Sequence, residues 1–370
     1  MIKKRPDARL ALPSLACVFL LLLTLKNSEI AANGIKKGLL LFTDMLLPAL
    51  LPFLVLSELL LALRADLLFT KYLSRPARFL FGLSPAGTSA LFLGLLCGVP
   101  VGTVSAKAML KSGKITGAEF NRLLLFANTP STGFLIGLVG TALLGNKGAG
   151  VALFCITVLS SALTGIFLKM VYGNLPIVTQ TRENGAEKRA SLLCLTTAIR
   201  NGFSTLLGVA GFVLFFAAVT ECVLSIPSLP PIVATVLCGL LELTAGTNTA
   251  VLLLSPEAAF LAIAFFAGFS GLSIAFQVLF IAENGSERPL SYLLAKMIQG
   301  GVSSGLALLY LKLAAPTLKP ATAGFSELSE HSLHLSPRLS VKVAFLFPIL
   351  ILLLTRLARY RAVRFERTQK

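Results

Sequence analysis

The sequence contains 370 residues, of which 55% are hydrophobic and only 13% are charged. Many apolar runs are long enough to cross the roughly 30 Å hydrocarbon core of a bilayer, so the composition predicts an all-α polytopic membrane protein without a separate soluble domain. The formal net charge is +17. Because the basic residues flank the apolar runs and form no single patch, we expect no nucleic-acid partner and a lipid bilayer as the surroundings.

In chain order, the apolar runs predict about eight transmembrane helices plus two re-entrant hairpins. The first run follows a basic segment, but no small-residue cleavage site comes after it, so we expect an uncleaved span. The hairpins are expected near residues 88–106 and 231–254. The eight spans are expected near 10–25, 39–63, 120–144, 149–172, 199–226, 257–282, 290–311 and 341–355.

These elements predict two repeats with the same order of spans and hairpin. Residues 39–148 form the first repeat and residues 199–314 the second. We expect a span and a loop in residues 1–38, and a connecting span with a basic loop in residues 149–198. Residues 315–370 are predicted to hold a loop, the last span and a basic cytoplasmic tail.

The distribution of basic residues predicts the orientation. With re-entrant hairpins, 25 of the 33 Lys and Arg fall in segments assigned to the cytoplasm, as the positive-inside bias requires. Both termini are then cytoplasmic, and the two hairpins enter from opposite faces as an inverted repeat. The inside segments are 1–9, 64–87, 107–122, 169–200, 283–296 and 356–370.

Small and polar residues interrupt one apolar segment at matching places in each half. The first break spans residues 98–102 and the second spans residues 242–248. Some twenty-odd residues beyond each comes another interruption, near Asn128 and near Ser270. Helix breaks at membrane depth are tolerated only where they are buried in protein or line a polar cavity. Paired breaks of this kind indicate a mid-membrane substrate site.

The candidate substrate-binding residues are the small and polar side chains of these breaks. Half-helix ends there offer N–H groups to an anion and free carbonyls to a cation. Glu242 is the most notable, because a carboxylate in a span costs about 2.5–3.5 kcal/mol unless it faces a cavity or a partner. The candidates are Gly98, Pro100, Gly102, Thr103, Asn128, Thr129, Ser131, Glu242, Thr244, Gly246, Thr247 and Asn248.

Several chemistries are not indicated. The six cysteines are scattered without a CxxC pair, and His331 and His334 are too few for a protein-only metal site, so no metal is expected. The chain lacks GxxxxGK[ST], which argues against ATP-driven transport. No nucleophile and base form a pair, so we expect neither a cofactor nor an enzyme.

The motifs around these breaks resemble those of a known family. Residues 98–102, Lys107, residues 126–129 and residues 241–244 are similar to motifs of the YlbJ (SpoVV) sporulation integral membrane proteins, which carry the nucleoside-recognition (Gate) domain. The resemblance covers roughly residues 40–310. It implies a sporulation protein in the outer forespore membrane that moves dipicolinic acid from the mother cell toward the forespore.

Alternatives stay open at the level of sequence. Dipicolinate is a planar dianion whose two carboxylates suit opposed half-helix N-termini, and Glu242 would repel it unless protonated, held as a structural acceptor or bound to a coupling cation. The second functional hypothesis is a nucleoside or other small-metabolite carrier. The third is a non-transporting scaffold for sporulation proteins. Proton or cation coupling and assembly into a homo-oligomer are also undecided.

Overall fold

The computed structural model describes residues 8–63, 66–176, 192–282 and 289–314. Within these ranges all regular structure is helical, which confirms the predicted all-α membrane class. Two π-helices, Phe42–Leu46 and Gly133–Leu143, interrupt the α-helical order. The α-helices are α1 (Ala8–Lys26), α2 (Ser28–Leu41), α3 (Leu47–Ala62), α4 (Asp66–Phe81), α5 (Pro85–Cys97), α6 (Val101–Lys111), α7 (Gly117–Phe126), α8 (Lys147–Tyr172), α9 (Leu192–Leu224), α10 (Pro231–Leu241), α11 (Leu243–Leu253), α12 (Pro256–Phe269), α13 (Gly271–Ala282) and α14 (Pro289–Ala314).

Four helical segments of the described chain are long and apolar enough to cross a membrane. They are Lys147–Tyr172, Cys194–Leu224, Pro256–Ala282 and Pro289–Ala314, and they match four predicted spans. Two further helix pairs qualify only if a sharp bend is allowed, of 99° between α1 and α2 and of 92° between α4 and α5. The described residues therefore hold four to six candidate spans, and the predicted number of eight is not confirmed. The predicted span at 341–355 lies outside the described residues.

The long helices turn apolar side chains outward and polar side chains inward. On α8, Leu159, Leu163 and Phe167 are exposed at helical spacing, while Ser160 and Ser161 on the other face are fully buried. An exposed apolar stripe of this kind would be a liability in water, but it is the normal lipid-facing surface of a membrane helix. The polar interior needs hydrogen-bond partners, and these determine how the site is built.

Both predicted re-entrant segments are helical hairpins. In the first, α5 and α6 meet where Gly94 faces Gly102, so closely that a Cβ atom on Gly102 would lie 2.7 Å from the Gly94 Cα. In the second, α10 and α11 meet where Gly239 faces Gly246, and a Cβ atom on Gly246 would clash with Gly239. Small residues at such crossings let two backbones approach closely inside a membrane.

The predicted span at 120–144 is divided into two helices. Helix α7 ends at Phe126, and the second π-helix begins only at Gly133. Pro130 removes a backbone donor in between, so the α-helical ladder cannot continue. The corresponding span of the second half is interrupted at Ser270, whose backbone is left-handed (φ 74°). We call residues 127–132 and residues 270–271 the span breaks.

Residues 28–38, predicted as part of a loop, are helical and form most of α2. The loop prediction was wrong here, and Gly34 and Gly38 are the residues where α2 packs closely on α9. Any Cβ atom on Gly34 would lie 2.8 Å from the Ala218 Cα of α9. Lys37 of α2 also forms an ion pair with Glu221 of α9, with 2.9 Å between nitrogen and oxygen.

Helix α13 lies between the two hairpins. Ala275 and Val278 of α13 share a hydrophobic core with Ala106 and Met109 of α6. At its other end, Gly271 begins α13 against the tip of the second hairpin. Helix α13 therefore contacts both hairpins, and the second span break lies at its start.

Candidate substrate-binding site

The tip of the first hairpin packs against the span break of the same half. The Val99 backbone N–H donates to the Thr129 carbonyl at 3.0 Å. Gly98 has φ +78°, and a Cβ atom there would lie 2.7 Å from the Ser131 nitrogen. Glycine is needed at this position both for the backbone angle and for the close approach.

Side chains join the hairpin to the same break. The Thr103 hydroxyl donates to Asn128 Oδ1 at 2.8 Å, and Asn128 Nδ2 donates to the Leu124 carbonyl at 3.1 Å. Thr103, Asn128 and Thr129 are all buried. The structure thus brings together the candidates of the first half: Gly98, Pro100, Gly102, Thr103, Asn128, Thr129 and Ser131.

Three carbonyl groups that the first span break frees have donors from elsewhere in the fold. Ser161 of α8 donates to the Phe126 carbonyl at 2.5 Å, and Lys296 of α14 donates to the Asn128 carbonyl at 2.8 Å. The Thr129 carbonyl accepts its hydrogen bond from the Val99 N–H described above. Because lipid offers no donor, such pairing is what allows a break at membrane depth.

Lys296 was missed as a site residue by sequence reasoning, which counted it among the basic residues of the inside segment 283–296. In the structure it lies inside α14 with no exposed surface. Its ammonium donates to Asn128 and, at 2.8 Å, to Gln299 Oε1. In the described part of the chain no carboxylate lies within 4.0 Å of it, since the ion pair found there joins Lys37 and Glu221.

Helix α14 presents a polar stripe to the interior. Tyr292, Lys296, Gln299 and Ser303 are buried at spacings of four, three and four residues, which is one helical face. Their regular spacing within an apolar run was a signal that the sequence did contain. Five buried polar atoms of this stripe and the first half have no hydrogen-bond partner among the described residues: Tyr292 Oη, Gln299 Nε2, Ser303 Oγ, Thr129 Oγ1 and Ser105 Oγ.

The second hairpin tip is built differently. Glu242 is the N-cap of α11, and its carboxylate accepts a hydrogen bond from the Ala245 N–H at 2.6 Å. A carboxylate at a helix N-terminus is stabilised by the free amide groups and the helix dipole. The anion-binding capacity of this half-helix is therefore used by the chain's own glutamate.

The remaining candidates of the second half surround that tip. Thr244 and Gly246 are buried in the first turn of α11, and Thr247 donates to the Leu243 carbonyl at 2.8 Å. Asn248 is half-buried one residue further along. The tip packs on the second span break, since a Cβ atom on Gly271 would lie 3.3 Å from the Glu242 Cα.

A cavity of about 510 Å³ opens beside the polar stripe. It is lined by residues of α7, the end of α8, α13 and the start of α14, including Asn121, Arg122, Ser291 and Tyr292. Arg122 donates to the Phe81 carbonyl at 3.3 Å and is buried. No group of three or more His, Cys, Asp or Glu that could hold a metal occurs among the described residues.

The fold and these breaks define an α-helical integral membrane protein with two interrupted halves. The chain is similar to the sporulation integral membrane protein YlbJ of Bacillus subtilis (strain 168), with 25% identity over 336 residues, or 80% of this chain and 81% of that protein. This similarity supports the YlbJ family that the motifs indicate, whereas the Gate domain is not confirmed. No family model matches the chain, and no solved structure matches it.

Proposed function

We propose that this protein is a sporulation membrane transporter that moves a small organic anion, dipicolinic acid, across the outer forespore membrane. The observation that carries the proposal is that each half contains a helical hairpin whose tip packs on a span break. Broken helices around a central site are the usual construction of secondary transporters. The sporulation context comes from the name of the homologue.

Interrupting a membrane helix leaves backbone groups that need hydrogen-bond partners, and this requirement favours transport over a passive structural role. The first span break has dedicated donors, Ser161 and Lys296, where an unbroken helix would need none. A scaffold gains nothing from broken spans, whereas a carrier needs polar backbone and movable half-helices at membrane depth. Because no nucleophile lies paired with a base in the described site, we propose no enzymatic reaction.

The charge of the interior supports an anion. The first half and α14 supply a lysine ammonium, an amide N–H₂ and several hydroxyl groups, while the one buried carboxylate at a hairpin tip, Glu242, is held by its own helix. A planar dicarboxylate offers up to eight acceptor lone pairs to such donors. An uncharged nucleoside would leave the lysine without a counter-charge.

The test is uptake of labelled dipicolinate into proteoliposomes that contain the purified protein. Accumulation that unlabelled dipicolinate inhibits, and that nucleosides do not, supports the proposal. Uptake of nucleosides instead would establish the alternative function of a nucleoside carrier. Protein-free vesicles serve as the control, and uptake equal to theirs for every solute contradicts a transport function.

A further inference from the structure

We propose that Lys296 is the residue whose positive charge binds a carboxylate of the transported anion, in a polar site between α14 and the 127–132 span break. This inference rests on the proposed function, because it names the group that recognises the anion at that site. It assigns a role to a residue outside every motif found in the sequence.

The first argument is the missing counter-charge. Lys296 is fully buried in a candidate membrane span, and its described neighbours are the neutral oxygens of Asn128 and Gln299. A lysine buried inside a membrane helix is costly, by about 2.5–3.5 kcal/mol when it lies at the helix centre on insertion scales. Neutral acceptors satisfy two of its three N–H groups, and no charge within the described part of the chain pairs with the ammonium. An anion from outside the chain would complete the site.

The second argument is the surplus of donors next to the ammonium. Gln299 accepts from Lys296 through Oε1, and its buried Nε2 group has no partner in the described part of the chain. Thr129 directly follows Asn128, and its buried hydroxyl group has no partner that the structure describes. Buried polar atoms are normally paired, so unpaired ones beside a cation indicate the place of a ligand. A carboxylate could accept from the Lys296 ammonium and the Gln299 amide together.

The third argument is access. Tyr292 lines the cavity of about 510 Å³, and Lys296 follows one turn later on the same face of α14. A volume in this range is typical of small-molecule sites. The cavity lies at the start of α7 and of α14, the face that the basic residues predict to be cytoplasmic. An anion entering from that face would meet Arg122 and Tyr292 before Lys296.

The experiment measures binding to the detergent-purified full chain by calorimetry, with dipicolinate, its neutral diamide and uridine as probes. The decisive variant is Lys296→Gln, which keeps a donor for the Asn128 carbonyl but removes the charge. We expect its Kd for dipicolinate to rise about 30-fold or more, as for loss of one partner of a buried charge pair. The diamide should bind weakly to either protein. Lys312→Met, on the exposed end of the same helix, should leave the Kd unchanged.

A second variant separates a loss of anion binding from a loss of folding. Gln299→Glu places a carboxylate beside the ammonium, so the chain would supply its own counter-charge and anion binding should be lost in a folded protein. The melting temperature without ligand reports folding for each variant. Dipicolinate binding that persists in both Lys296→Gln and Gln299→Glu overturns the inference.

The outcomes also separate this inference from the proposed function. Unchanged dipicolinate uptake and binding in Lys296→Gln would refute the role of Lys296 and leave dipicolinate transport standing. A wild-type protein that binds uridine but not the dianion would refute both. A wild-type protein that binds no probe at all would show that Lys296 forms no anion site.

Discussion

The ammonium of Lys296 and the backbone carbonyl of Asn128 lie 2.8 Å apart, although 168 residues separate them in the chain. This bond joins the last helix of the second half to the span break of the first half. The two halves therefore meet at the point where the membrane helix is interrupted. A polar contact there is shielded from water, so its loss is expected to affect both halves.

The orientation of the first hairpin gives a prediction about topology. Since α5 and α6 fold back on each other at Gly94 and Gly102, cysteine reporters near Arg75 and Lys114 should both label from the cytoplasmic face. Reporters near Ser228 and Ser255, which flank the second hairpin, should both label from the opposite face. Membrane-impermeant thiol reagents on intact cells and inverted vesicles measure this, in a background free of native cysteines. Opposite labelling within either pair would contradict the re-entrant hairpin.

The glycine crossing gives a prediction about the first tip. Gly102→Leu should abolish transport, because even a Cβ atom would lie 2.7 Å from the Gly94 Cα and 3.3 Å from Asn128 Oδ1. Overpacking of this kind typically costs about 1–3 kcal/mol, so the protein should still insert but melt at a lower temperature. Gly211→Ala is the matched control, because nothing lies within 4 Å of that added methyl group. Normal dipicolinate uptake by Gly102→Leu would show that the tip is not part of the site.

The capping role of Glu242 gives a prediction about the second tip. Glu242→Gln keeps an acceptor oxygen for the Ala245 N–H, whereas Glu242→Ala removes it. We expect the alanine variant to lose about 0.5–2 kcal/mol of stability and the glutamine variant to melt close to wild type. Thermal melts of the purified proteins measure the difference. Equal destabilisation of both variants would mean that the charge, and not the acceptor, holds the tip.

The same pair of variants tests coupling. If the carboxylate carries a proton or cation with the substrate, both should lose gradient-driven accumulation of dipicolinate, and Glu242→Gln should retain equilibrative exchange. Uptake with and without an imposed gradient separates these activities. Full gradient-driven accumulation by Glu242→Gln would leave this residue as a helix cap alone.

The bond between Thr103 and Asn128 gives a prediction about the first span break. Thr103→Val keeps the shape of the side chain but removes the donor, so the buried Asn128 Oδ1 loses its partner. Leaving a buried acceptor unpaired costs about 1–3 kcal/mol. Thr103→Ser, which keeps the hydroxyl group, should be much closer to wild type in thermal melts. Equal melting temperatures for the valine and serine variants would contradict the importance of this bond.

The helical class and the position of both hairpins could be predicted from sequence, because Gly, Pro and polar residues inside apolar runs have a direct backbone consequence. The close approaches at Gly94 with Gly102 and at Gly239 with Gly246 follow from small residues around each tip. Helix α2 could not be predicted in this way. Gly34 and Gly38 have the composition of a loop, and only the presence of α9 turns them into a packing surface.

The site was only partly predictable for a different physical reason. A charged residue near the end of an apolar run can have either of two positions. It can anchor the span at the membrane surface, or it can be buried in the interior of the protein. Lys296 belongs to the second kind, but its partner, the Asn128 carbonyl, is a backbone group that no residue pattern marks. For Glu242 the residue itself was predicted as a candidate, but its partner was not. The Ala245 amide that Glu242 caps depends on where α11 begins.

The two hairpins share a backbone plan but differ in electrostatics. Helix α11 begins with a carboxylate on its first amides, whereas α6 begins at Pro100 without any side-chain cap. If the halves exchange conformations during a transport cycle, the two end states are therefore not mirror equivalents. We expect their free energies to differ, so an empty carrier of this kind would rest predominantly with its opening on one side of the membrane.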